Sequence, residues 1–150
     1  GIAQKYDEIR LPSIYAGEAY SGKQQAFDYA EKLDGQAEEH YDNGISCVQK
    51  KDWECAIEEY TKASKLAPDN PVVFDELGTS LKFAGHLDKA LEAYSRTIEL
   101  NPKYIEGYLG LGLTHNMLGN TKKAKENIKH YLELAPDTPY KDYCNKIMNK

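Results

Sequence analysis

The sequence predicts an all-α fold: a right-handed α-solenoid of three helix-turn-helix repeats, preceded by a helical extension and closed by a capping helix. Three observations point there. Segments 37–70, 71–104 and 105–138 align without a gap, with Gly44/Gly78/Gly112, Ala56/Ala90/Ala124, Tyr60/Tyr94/Ile128 and Pro68/Pro102/Pro136 in phase. Within each copy, apolar residues recur at the spacing of one helix face. Glycine and proline fall where helices must end. A fixed period of this length means stacked units that cover one another's apolar faces.

The elements follow in order. In residues 1–20, Leu11 and Pro12, then Ala16 and Gly17, break any helix, so an extended or mobile segment is expected, with a short helical turn around Tyr6. From Ser21 to Gln24 the chain resembles a capping box. Ala26, Tyr29, Ala30, Leu33, Ala37, Tyr41 and Gly44 then keep one helical stripe. This predicts a helix from about 22 to 50, with residues 21–36 as the extension. Gly35 inside it costs only about 1 kcal/mol relative to Ala.

The first repeat carries Gly44, Ala56, Tyr60, Ala63 and Pro68; Lys51 replaces a turn glycine, and Asp52 is a suitable N-cap for the second helix. In the second repeat, Phe74, Leu77, Gly78 and Leu81 share a face, Gly85 ends the helix, and Leu87, Ala90, Leu91, Tyr94 and Ile98 form the next. Pro102 closes it, since a missing N–H prevents continuation. The third repeats the plan with Tyr108, Leu111, Gly112, Gly119, Ala124, Ile128 and Pro136. Gly78 and Ala90 let the paired helices approach, with Phe74 and Tyr94 filling the volume beside them. Residues 139–150, with Tyr140, Tyr143, Ile147 and Met148 at helical spacing, cover the apolar face that the last repeat otherwise leaves in water.

Composition narrows the function. The net charge of −5 argues against non-specific nucleic-acid binding and against adhesion to anionic membranes. Charge is uneven: the first repeat has 4 basic and 8 acidic residues, while residues 139–150 have 3 and 1. Cys47, Cys55 and Cys144 are odd in number and form no C-x-x-C pair, so neither a disulfide framework nor a zinc site is expected, and Cys47 reads as a small core hydrophobe. No stretch approaches the roughly 20 apolar residues of a membrane span. The first residue is Gly rather than Met. A soluble chain is expected, cytoplasmic or, with an export signal removed, periplasmic or at the cell envelope.

No catalytic, cofactor or metal constellation is recognisable. Gly107, Gly110 and Gly112 lie in a helical pattern rather than between strand and helix. His40, His86, His115 and His130 occupy different repeat positions, and His115 reads as a hydrogen-bonded interior histidine. Tyr60, Tyr94 and Tyr108 sit on packing positions without a basic groove, so no base-stacking surface is expected. The sequence therefore points away from an enzyme.

Phe74, Leu77, Gly78, Ala90, Tyr94 and Pro102, with Tyr108, Leu111, Gly112, Ala124 and Pro136, resemble the tetratricopeptide repeat family over residues 37–138. Departures are His40 for the first aromatic, Asn43 for Leu, Ile128 for the second aromatic and Tyr131 for a small residue. Members that grip the acidic C-terminal tails of heat-shock chaperones carry Lys, Asn and Arg where this chain has Tyr41, Ile45, Glu76, Glu106 and Gly110. The resemblance thus implies that such tails are excluded.

Function is expected to come from shape. The first helices of stacked pairs line a concave face. Repeat positions 2, 5, 9, 12 and 13, with 6 beside them, supply a peptide-binding set of Tyr41, Ile45, Val48, Asp75, Glu76, Thr79, Lys82, Phe83, Leu109, Leu113, Asn116 and Met117, flanked by Asp42 and Gly110. The set is apolar at both ends with two carboxylates in the middle. It suits an apolar peptide or partner helix bearing Lys or Arg near Asp75 and Glu76. Two or three buried anchors at about 1.5–3 kcal/mol each give micromolar-scale binding after entropy losses. The chain's own termini are alternative covers for the two apolar ends. Two other readings stand beside the interaction module. One is a self-assembling scaffold using head-to-tail charge or Ile9, Leu11, Pro12, Ile14 and Tyr15 as a groove-filling segment. The other is an accessory domain of a larger enzyme.

Overall fold

The computed structural model describes residues 20–150, so expectations for residues 1–19 lie outside it. Among the described residues there are eight helices and no strand: α1 (Ser21–Ala30), α2 (Gly35–Gln49), α3 (Trp53–Leu66), α4 (Pro71–Phe83), α5 (Leu87–Leu100), α6 (Ile105–Met117), α7 (Thr121–Leu134) and α8 (Lys141–Met148). Helices α2 and α3, α4 and α5, and α6 and α7 pack as pairs, and each pair packs on the next. The array is an α-solenoid. Helix α8 packs on α7 and buries Cys144 and Ile147.

Turn chemistry places the pairs. Gly85 and Gly119 adopt φ of 87° and 80°, the left-handed region that a Cβ disfavours. Lys51 takes φ 57° at the equivalent place. Beside it the Asp52 carboxylate accepts the Cys55 N–H at 3.1 Å, capping α3 as expected. The same turn holds a disulfide that the spacing argument missed. Cys47 and Cys55 are bonded, with Cα atoms 5.7 Å apart. One cysteine ends α2 and the other begins α3, so the reversal at Lys51 brings together residues that C-x-x-C logic leaves apart.

The small residues face large ones across each pair. Tyr60, Tyr94 and Ile128 are fully buried. A Cβ built on Gly78 would stand 2.9 Å from the Tyr94 ring, and one on Gly112 would stand 2.5 Å from Ile128 Cδ1. Phe74 is half-buried, with the Arg96 guanidinium 5.9 Å from its ring.

The single helix expected over 22–50 is broken. The Lys32 and Leu33 N–H groups close onto the Tyr29 and Ala30 carbonyls, each at 3.1 Å, and Gly35 turns the chain at φ 54°. Helix α1 is thereby carried back over the array, where it packs on α4 and α6. Nor does Ser21 form a capping box, because its neighbour Tyr20 is the N-cap and no side chain caps α1. The Ser21 hydroxyl and N–H instead donate to Asp137, at 2.6 and 2.9 Å, across 116 residues of sequence. This pair holds the Asp137 carboxyl below the usual carboxylate range. The physical reason for the break is what α1 reaches: Tyr20 joins a buried cluster with Ile105, Tyr108 and Leu109, and its hydroxyl lies 3.1 Å from that of Tyr131.

His115 is interior, with Nδ1 3.2 Å from the Asn120 amide. Burial first, then the charge of Lys123, lowers its pKa. A depressed folded-state pKa stabilises the fold above the unfolded value, about 6.5, and that contribution drains away as pH falls. The melting temperature should therefore drop between pH 7.5 and 5.5, and His115→Asn should flatten the drop. An unchanged acid slope in the variant would show that another group carries it.

Candidate functional site

The residues predicted from the sequence to bind a peptide come, as their spacing requires, from α2, α4 and α6. Tyr41, Ile45 and Val48 join one buried cluster. Leu109 and Leu113 join another, with Phe83 packed against it. Between them sit Asp75 and Glu76. Burial first, then the Glu76 charge, pushes the Tyr60 phenol well above its ordinary pKa, with Tyr41 and Asp75 adding to it. Thr79 donates to the Asp75 carbonyl at 3.1 Å and meets the Tyr94 hydroxyl at 2.8 Å. The Lys82 ammonium lies 4.5 Å from the Phe83 ring centre.

These residues do not form the open face that the sequence suggests. Tyr41, Ile45, Val48, Asp75, Glu76, Thr79, Lys82, Leu109 and Leu113 are buried, with Asp75 at 0% and Lys82 at 2% exposure. Phe83 and Asn116 are half-buried, and Asn116 accepts from the Lys150 ammonium at 2.7 Å. Met117 alone of the set is open, at 56% exposure, beside the exposed Leu118. Phe83 is stacked on Trp53, with ring centres 4.8 Å apart. Gly110 is not a surface residue either; it packs against the Tyr94 ring.

The sequence reading missed the residues that hold α1 in place. Gln25 clamps the start of α6: its amide donates to the Lys103 carbonyl at 2.9 Å, and its carbonyl accepts the Ile105 N–H at 2.7 Å. That N–H is one of the orphan donors at a helix start, where Tyr104 supplies no side-chain cap. Tyr29 is held twice, through its carbonyl by Asn70 at 2.8 Å and through its hydroxyl by Asn101 at 3.0 Å. Gly22 approaches the buried Glu106 so closely that an added Cβ would lie 2.5 Å from a carboxylate oxygen. Glu106 also extends the acidic interior, because its charge, after burial, raises the pKa of Tyr131 and moves Cys144 up to about 12. One signal was present in the sequence. Tyr131 stands where the repeat pattern wants a small residue, and its hydroxyl is what meets Tyr20 and, at 2.6 Å, Thr138.

Among the described residues no group of three His, Cys, Asp or Glu side chains is arranged to hold a metal ion. No helix among them is long and apolar enough to cross a membrane.

Comparison with known proteins gives two family-model matches, a TPR repeat over residues 84–119 and a tetratricopeptide repeat over 105–138. A UDP-N-acetylglucosamine--peptide N-acetylglucosaminyltransferase of Giardia intestinalis is 38% identical over 95 residues, 63% of this chain. The chain spans only 6% of that relative's length. Among solved structures, an Arabidopsis OM64 TPR domain superposes at a TM-score of 0.73 with 21% identity, covering 81% of this chain and 97% of that one. The first TPR of Spaghetti (RPAP3), bound to HSP90 peptide SRMEEVD, superposes at 0.68 with 23% identity, covering 84% and 94%. At these identities the solved structures establish the fold.

Proposed function

We propose, from the premise that the chain belongs to the tetratricopeptide repeat family, that it is a non-catalytic protein-interaction module taking a peptide or partner helix along its concave side. The observation that supports this most is the pairing of Asp75 and Glu76 between apolar ends formed by Tyr41 and Ile45 and by Leu109 and Leu113. Two acidic side chains between apolar ends are complementary to a ligand that carries apolar anchors and Lys or Arg. Because most of the set is interior, such a ligand enters by replacing what lies over it.

The exclusion of acidic chaperone tails, expected from Tyr41, Ile45, Glu76, Glu106 and Gly110, is withdrawn. An array of the same fold holds an acidic HSP90 peptide, so the fold itself sets no bar. The test compares three fluorescent peptides by anisotropy: an apolar helix bearing Lys and Arg, its Lys/Arg→Gln version, and SRMEEVD. The basic helix should bind in the micromolar range and weaken about tenfold, a loss of about 1.4 kcal/mol, in the Asp75→Asn, Glu76→Gln double variant. Its salt dependence should flatten too. Equal binding by both proteins, with unchanged melting curves, removes the groove assignment; tighter binding of SRMEEVD reverses the partner's charge.

The transferase relative favours a second reading, in which these repeats are an accessory segment of a larger enzyme. An intact gene product no heavier than the 17.0 kDa of residues 1–150 removes it.

A further inference from the structure

We infer that helix α1 is exchangeable between copies of this chain: residues 31–35 straighten, α1 and α2 merge, and α1 docks on the rim of a second copy. Residues 21–49 can take up two conformations, bent as observed or continuous. The stripe of Ala26, Tyr29, Ala30, Leu33, Ala37 and Tyr41 runs through the break in helical phase. No proline interrupts it, and the bend relies on one left-handed residue, Gly35. Asp34, the N-cap of α2, makes no side-chain capping bond, and the Lys32 and Leu33 N–H groups that close the bend find i−4 carbonyls instead when the helix runs through. Leu33 is buried and lies on the same stripe as Ala37, so it keeps an apolar side in either form.

Reach separates the two forms. A continuous helix over 21–49 is roughly 43 Å long at about 1.5 Å per residue. Its far end points away from α4 and α6, so Ser21 no longer meets Asp137 of its own chain. A second copy offers the same Asp137, the same Lys103 carbonyl and Ile105 N–H, and the same Asn70 and Asn101. These groups are spaced for Ser21, Gln25 and Tyr29 and for no generic helix. Each bond lost on opening is regained across the pair. The balance then rests on the five hinge residues and on concentration, the condition under which elements swap. This holds whether or not the concave side takes a peptide.

Gly35→Ala is the test. An added Cβ meets nothing within 4 Å, so the variant has room to fold, but the left-handed φ becomes costly and a helical residue 35 becomes favourable. The dimer association constant, from sedimentation velocity over a concentration series, should rise at least about tenfold. Inserting Gly-Ser-Gly-Ser after Lys32 should return the chain to monomer. Ser21→Cys with Asp137→Cys, oxidised at high concentration, should give a covalent dimer on a non-reducing gel. A Gly35→Ala chain that stays monomeric overturns the proposal. So does a dimer whose engineered cysteines close only within one chain. If Gly35→Ala fails to fold, the cysteine pair in the otherwise unchanged chain decides by the same criterion.

Discussion

Tyr94→Ala is expected to destabilise the protein by about 3–5 kcal/mol, the usual cost of removing a large aromatic from a closed core. At roughly 2–4 °C per kcal/mol for a chain of this size, melting should fall by about 6–20 °C. The reason lies in what surrounds the ring. Tyr94 is fully buried, and its ring stands between Gly78 of its own pair and Gly110 of the next. Glycines have no side chain to swing into the vacated volume, so the cavity stays open. The hydroxyl, 2.8 Å from that of Thr79, matters less. Tyr94→Phe keeps the ring and should cost only about 1 kcal/mol. Thermal melts by circular dichroism check both. Equal losses in the two variants would move the stabilisation from the ring to the hydroxyl.

Gly110→Val should come close behind, at about 3 kcal/mol, the upper end of ordinary overpacking. A Cβ at residue 110 overlaps the Tyr94 ring, and the β-branch adds a second atom in the same place. Helix α6 would have to move off α5. The two sites touch, so their effects should not add. Placing Tyr94→Leu beside Gly110→Val should recover part of the loss. A double variant no more stable than the sum of the singles would show that Gly110 is constrained by something else.

Gly110 also shows where sequence reasoning ran out. The 34-residue phase locates the helix pairs because each repeat must present the same small and large residues at the same height. Gly85, Asp52 and Tyr94 follow from local chemistry alone. What periodicity cannot reveal is a contact between residues a hundred positions apart. The spacing predicts a shared face for Tyr41, Asp75 and Leu109, but whether that face is open depends on elements outside the repeat, and all three are buried. Gln25 and Tyr29 read as ordinary helix residues and Ser21 as a helix cap until Lys103, Asn101 and Asp137 are beside them. The stripe from Ala26 to Tyr41 promised one helix for a related reason. A helical period is satisfied equally by a straight rod and by two pieces, and only the long-range partners of α1 choose between them. Cys47 and Cys55 repeat the lesson at short range, since their pairing needs a chain reversal that the cysteine spacing does not announce.

The bond from Ser21 to Asp137 joins the first described helix to the end of the last repeat. In an open array of repeats each unit feels only its neighbours, and melting can begin at either end and run inward. Here the first described helix must leave before the last repeat is exposed at its rim. Fraying at one terminus is thereby coupled to the other, and hydrogen exchange should report one cooperative block from Tyr20 to Thr138 rather than a gradient of protection. The same closure raises contact order, so a molecule built from local helices should fold more slowly than its repeats alone would suggest.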